Sequence, residues 1–296
     1  MKRISTLFLT AVLLFVSSAM AQDKIEYKTA LDVPYYTPEA LAKADDYQKS
    51  QCRLDINWPA NRKGFATLLW FHGGGLEVGK KFIPPAYKNL KEYKEGRLAI
   101  IGVGYRLSPK VTFPVFLEDA AAAVAWTVKN IDKYGGDPRL VFVSGGSAGA
   151  YLTAMIGMNP KWLAPYGLTG NDLAGLIPIS GQMTTHFNVK KMLKMPGEQY
   201  QPIIDENAVL YWIKKDLPPI FLIMGDPNNE WPVRIQENQL ALASLKALGH
   251  PMVEYMENPG FSHNRICTLA TDIRQDMLDR MDNFISKATK KRQSQF

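Results

Sequence analysis

Five short stretches dominate what this chain can fold into: ATLLWFHGGG, RLAIIGVGYRL, RLVFVSGG, LAGLIPISG and PIFLIMGD. Each is apolar almost without interruption, and its apolar part gives way to Gly, Ser or Asp. A strand with one wet face alternates apolar and polar residues, whereas a continuous run suits a strand covered on both faces. Between these runs lie segments of helical period. VFLEDAAAAVAWTVKNIDKY places Phe116, Ala120, Val124, Val128 and Ile131 on one face. VRIQENQLALASLKALGH, ending at Gly249, and DIRQDMLDRMDNFISKATKK behave alike. Strands that alternate with helices predict an α/β fold with a mostly parallel, twisted sheet covered on both sides.

The remaining sequence bounds the architecture. A chain of 296 residues with 46% hydrophobic and 21% charged residues suits a packed globular protein. No repeat, low-complexity tract or linker divides it, so residues 22–296 read as a single domain. The first 21 residues carry Lys2 and Arg3, then an apolar run, then Ala19-Met20-Ala21, the pattern of a secretory signal peptide. The run is shorter than the about 20 apolar residues of a membrane anchor. Export to the periplasm or medium is therefore expected, with Gln22 opening the mature chain. Loss of two basic residues takes the net charge from +7 to +5. No basic run with interleaved aromatics suggests a nucleic-acid groove, and the charge reads as solvated surface. Cys52 and Cys267 form either a disulfide or two separate thiols. Residues 182–217 are too long for an ordinary connection and read as a lid or substrate-facing insertion with a helix-like piece, DENAVLYWIKK. The aromatic residues Phe187, Tyr211, Trp212 and, further on, Trp231 are candidates for a pocket wall, although core packing is the commoner use of such residues.

The third run ends in Gly145-Gly146-Ser147-Ala148-Gly149, the G-x-S-x-G form, and a helical segment, AYLTAMIGM, follows. In a nucleophile elbow the serine sits on a sharp strand-to-helix turn, and only small neighbours let strand and helix come so close. The pattern alone is weak, but its place between strand and helix strengthens it. A second feature is independent: the first run ends in His72-Gly73-Gly74-Gly75. Glycines let backbone N–H groups face a ligand unobstructed, and such groups stabilise the oxyanion of acyl transfer by several kcal/mol. Gly73 or Gly74 would then complement the N–H of Ala148. His72, on the oxyanion side, reads as a structural hydrogen-bonder rather than a base.

Taken together, WFHGGG, GVGYRLSP, FPVFLEDAAAAVAWTVKNIDKYGGDP, VSGGSAG, DLPPIFLIMGD and PGFSHN resemble the α/β-hydrolase family, in its hormone-sensitive-lipase-like and carbohydrate-esterase-like branch. The resemblance spans most of residues 47–285. It implies an eight-stranded, mostly parallel sheet and a serine hydrolase of esters that uses no metal or organic cofactor.

A serine hydroxyl needs a base. Of the four histidines, His186 precedes any acid placed after the later strands, and His250 in ALGHP looks like helix-terminal surface. His263 lies in the loop after MVEYMENPG, where the family has its base, with Asn264 where relatives often have glycine. Relatives commonly read G-D-x-D at the acid; here Gly225-Asp226-Pro227-Asn228 puts a neutral Asn at the usual position. Glu230, with its longer arm, is the favoured acid, and Asp226 is the runner-up. The expected activity is hydrolysis of short-chain or aromatic acyl esters, some of them on carbohydrates. An amide-cleaving relative, or a binding protein that kept the fold and lost turnover, are the alternatives.

Overall fold

The computed structural model describes residues 24–269 and 272–295. The predicted signal peptide falls outside them. Eight strands form one sheet: β1 (Tyr27–Pro34), β2 (Arg53–Pro59), β3 (Phe65–Phe71), β4 (Leu98–Val103), β5 (Gly136–Gly146), β6 (Gly175–Ile179), β7 (Ile220–Met224) and β8 (Val253–Glu257). Their spatial order is β1-β2-β4-β3-β5-β6-β7-β8. β2 runs antiparallel to both β1 and β4, and every pair from β4 to β8 is parallel.

The continuous apolar runs are explained by packing on both faces. All seven residues of β3 are buried. Leu69 and Phe71 join one core cluster while Leu68 and Trp70 join the other, the two-residue period of a strand. The helices Val115–Asn130, Ala148–Met158 and Arg234–Ala247 cover the first face. The long helix Gln275–Gln293 covers the second through Met277, Met281, Phe284 and Ile285. Full burial of one such side chain contributes about 1.5–3 kcal/mol, so central strands carry most of the stabilisation.

One buried ion pair ties the sheet to its first covering helix. Asp119, fully buried, accepts from Nε (2.9 Å), Nη2 (2.7 Å) and the backbone N–H (3.0 Å) of Arg106, and from the Tyr36 hydroxyl (2.6 Å). This fixes the YRLSP segment that follows β4.

Two expectations change, and one open alternative resolves. DENAVLYWIKK yields only a short 3-10 turn, Val209–Trp212. The Asp205 carboxylate takes the Thr185 hydroxyl (2.5 Å) and the Asn207 N–H (3.0 Å), and such local side-chain bonds compete with a helix. His250 is buried, not surface: its Nε2 lies 3.1 Å from the Leu217 carbonyl. Cys52 and Cys267 are separate, buried thiols.

Candidate active site

The carboxyl ends of the parallel strands share one edge. Gly146, Ile179 and Ile223 stand in register across β5, β6 and β7, so the residues that follow them emerge together. The ladder runs one residue further, with Ser147 N–H donating to Ile179 O (2.9 Å) and Ser180 N–H to Ile223 O (2.7 Å).

Ser147 is the elbow. Its backbone sits at φ 54°, ψ −115°, sparsely populated for a non-glycine residue, and the helix Ala148–Met158 starts immediately after it. The small neighbours have a steric cause. A Cβ on Gly149 would stand 2.0 Å from the Phe71 carbonyl oxygen, so no other residue lets this helix lie against β3. The Ser147 hydroxyl lies 2.9 Å from Nε2 of His263. On the other side of the ring, Nδ1 is in a short contact with Oε1 of Glu230, and both side chains are almost wholly buried.

Glu230 has three donors. His263 Nδ1–H and the Trp231 N–H (2.8 Å) address Oε1, and the Ser180 hydroxyl addresses Oε2. Burial pushes its carboxyl up, but these donors and the imidazole outweigh it and hold the group below its ordinary range. Asp226 does something else. It accepts from Gly260 N–H (2.7 Å) and Asn228 N–H (2.9 Å), joining the loop after β7 to the loop that carries His263. Asn228 hydrogen-bonds Asp226 and is exposed. The structure thus brings Ser147, His263 and Glu230 into one chain of contacts, with Asp226 and Asn228 outside it. Asn264 lies within a short helix, His263–Thr268, that begins after Ser262, and a side chain fits there without strain.

Gly73 lies beside the elbow, where an added Cβ would stand 3.2 Å from the Ser147 Cβ. Gly74 adopts φ 104° with Val78 O packed against it, so only glycine fits. His72 orders this loop. Burial lowers its pKa to about 4, so the ring is neutral at pH 7, and Nδ1 lies 2.7 Å from Gly73 O. A carbonyl can only accept, so Nδ1 carries the proton. Because the peptide is planar and trans, turning Gly73 C=O toward the imidazole turns Gly74 N–H the opposite way. Tyr105 stacks on His72 at 4.4 Å and donates to its carbonyl (2.7 Å). Among the described residues, the N–H groups of Gly73, Gly74 and Ala148 donate to no protein acceptor.

A cavity of about 550 Å³ opens over Ser147 and His263. Phe187 and Trp231 line it, their rings 5.8 Å apart, and Trp231 lies 5.0 Å from the His263 ring. Tyr211 and Trp212 do not line it; they pack on one another at 5.1 Å elsewhere in the insertion. Residues 182–217 approach the site by a different part. Asn188 donates to Gly75 O (2.5 Å) and Lys191 pairs with Glu77 (3.4 Å), clamping the insertion onto the glycine loop. His186 is buried beneath, capping the short helix Phe187–Met192. Cys267 lies 3.9 Å from His263 Nε2; burial first, then the Glu230 charge, raises its thiol well above the ordinary range, so it stays protonated. A larger cavity, about 640 Å³, lies at the opposite edge of the sheet among Arg97, Lys290 and Gln293, away from Ser147 and His263. Among the described residues, no three His, Cys, Asp or Glu side chains are grouped as metal ligands would be, and no helix is long and apolar enough to cross a membrane.

Comparison with known proteins places this geometry in context. Residues 54–242 match the BD-FAE family model. The chain belongs to the BD-FAE family. It is 27% identical over 227 residues to esterase LipQ of Mycobacterium tuberculosis, covering 72% of this chain and 52% of LipQ. It is 24% identical over 269 residues to an acetyl esterase of Salmonella choleraesuis, covering 83% and 80%. The chain spans about half the length of LipQ and of esterase LipC from the same organism. Among solved structures, a truncated carbohydrate esterase from gut microbiota superposes with TM-score 0.66 at 15% identity, covering 91% of this chain and 99% of that one. Esterase B of Lactobacillus rhamnosis gives TM-score 0.68 at 19% identity, covering 90% and 89%. The α/β-hydrolase fold expected from the sequence is the fold observed.

Proposed function

We propose that this chain is a serine carboxylesterase, and the contact of Ser147 Oγ with His263 Nε2 at 2.9 Å carries the reading. His263 removes the hydroxyl proton as the oxygen attacks an ester carbonyl, and Glu230 stabilises the imidazolium that results. N–H groups of Gly73 or Gly74 and of Ala148 receive the developing oxyanion. His263 then protonates the leaving alcohol, and water cleaves the acyl-enzyme by the same route. The depressed carboxyl of Glu230 supports this role, since an ionised acid is what an imidazolium requires.

The substrate class is a short-chain or aromatic acyl ester, with carbohydrate-linked esters as its natural setting. A cavity of about 550 Å³ walled by Phe187 and Trp231 accommodates such groups. Likeness to an acetyl esterase and to a carbohydrate esterase agrees with it. With the signal-like first 21 residues, we place the enzyme outside the cytoplasm. The test is hydrolysis of p-nitrophenyl acetate and butyrate by the mature protein beside Ser147→Ala. Turnover lost in the variant supports the reading; equal rates in both would overturn it for these esters.

A further inference from the structure

One partner of Glu230 has no part in the mechanism above. Ser180 is the residue at which the chain leaves β6, and it is fully buried. Its hydroxyl donates to Oε2 of Glu230, fifty residues away in sequence, while its oxygen accepts the Gly225 N–H at 3.4 Å. His263 and the Trp231 N–H both address Oε1, so Ser180 is the donor to the other oxygen.

A second observation is independent of that contact. Ser180 stands at φ 51°, in the left-handed region that favours glycine. Its N–H is fixed to Ile223 O at 2.7 Å, so this backbone angle turns the side chain over the sheet edge toward the loop after β7. A strained non-glycine residue at a reactive site points to a side chain that is needed there. The need follows from the acid itself. Glu230 reaches His263 with an arm that has one more rotatable bond than an aspartate would have. A donor at the far oxygen fixes the plane of the carboxylate that such an arm leaves free.

We propose that Ser180 is a positioning residue of the reaction, holding Glu230 so that it faces His263. This rests on the reading of Glu230 as the acid of a Ser147–His263 esterase. The probe is Ser180→Gly, because glycine adopts φ 51° freely and removes the hydroxyl without threatening the fold. We expect kcat on p-nitrophenyl acetate to fall about tenfold with KM within about twofold, the mark of an interaction used in the transition state. In a Glu230→Ala background the same change alters kcat less than about twofold, because the acceptor is gone. The proton resonance of His263 Nδ1–H moves in Ser180→Gly, a readout that needs no turnover. An equal proportional loss in both backgrounds, or a resonance that stays in place, would overturn the proposal. A parent without Ser147-dependent turnover would instead count against the esterase reading, and the resonance would still decide the role of Ser180.

Discussion

Lowering the pH should weaken this protein through His72, and the size of the effect follows from its environment. The ring is 3% exposed, and burial lowers its pKa from 6.5 to about 4, partly opposed by its bond to Gly73 O. A group whose folded pKa is depressed contributes stability that is present above its unfolded pKa and is lost as pH falls toward the folded one. Between pH 7.5 and 5.0 the unfolded chain takes up a proton at this site that the folded one refuses. Linkage with these two values gives a loss of about 2 kcal/mol, most of it between pH 6.5 and 5. The assay is urea unfolding at pH 7.5 and 5.0 for the parent and for His72→Asn, whose amide also donates to a carbonyl. Other titrating groups cancel in the comparison, so the variant should lose about 2 kcal/mol less than the parent over this interval. Equal losses in the two proteins would refute the argument that His72 is buried neutral.

The two carboxylates after β7 should separate cleanly. Glu230→Gln is expected to lower kcat about 10³- to 10⁴-fold, as neutralising a triad acid does, while Asp226→Asn stays within about threefold; steady-state rates on p-nitrophenyl acetate distinguish them, and the reverse order would make Asp226 the acid. Asp119→Ala should destabilise by about 3–5 kcal/mol by stranding Arg106 and freeing Tyr36, read by denaturant unfolding; a change below about 1 kcal/mol would mean the pair is replaceable.

How much of this was legible in the sequence depended on how local each feature is. The elbow and the glycine loop are contiguous, and the steric demand that selects their residues is met by near neighbours, as Gly149 against Phe71 shows. The five strands β3 to β7 announced themselves by apolar runs because both faces are covered, whereas β8 is mostly half-buried and gave no such run. β1 and β2 did not: β1 is an edge strand with exposed Thr29 and Leu31, and β2 alternates. Only the family resemblance implied eight strands. Choosing between Glu230 and Asp226 turned on which reaches across to a loop some thirty residues later, information that no spacing contains. The aromatics show the same boundary. Phe187 and Trp231 reach the cavity while Tyr211 and Trp212 do not, although residue type made all four candidates. Ser180 gave no signal, because its contact spans fifty residues and its backbone angle is set by the sheet edge.

The central claim is that Ser147 is a nucleophile activated by His263. Its most direct measurement is labelling of the mature protein with a fluorophosphonate, followed by peptide mass spectrometry, in the parent, in Ser147→Ala and in His263→Ala. One adduct per chain is expected on Ser147 in the parent, none in Ser147→Ala, and labelling slowed by orders of magnitude in His263→Ala. An adduct on another residue, or labelling of Ser147 at the same rate without His263, would contradict it.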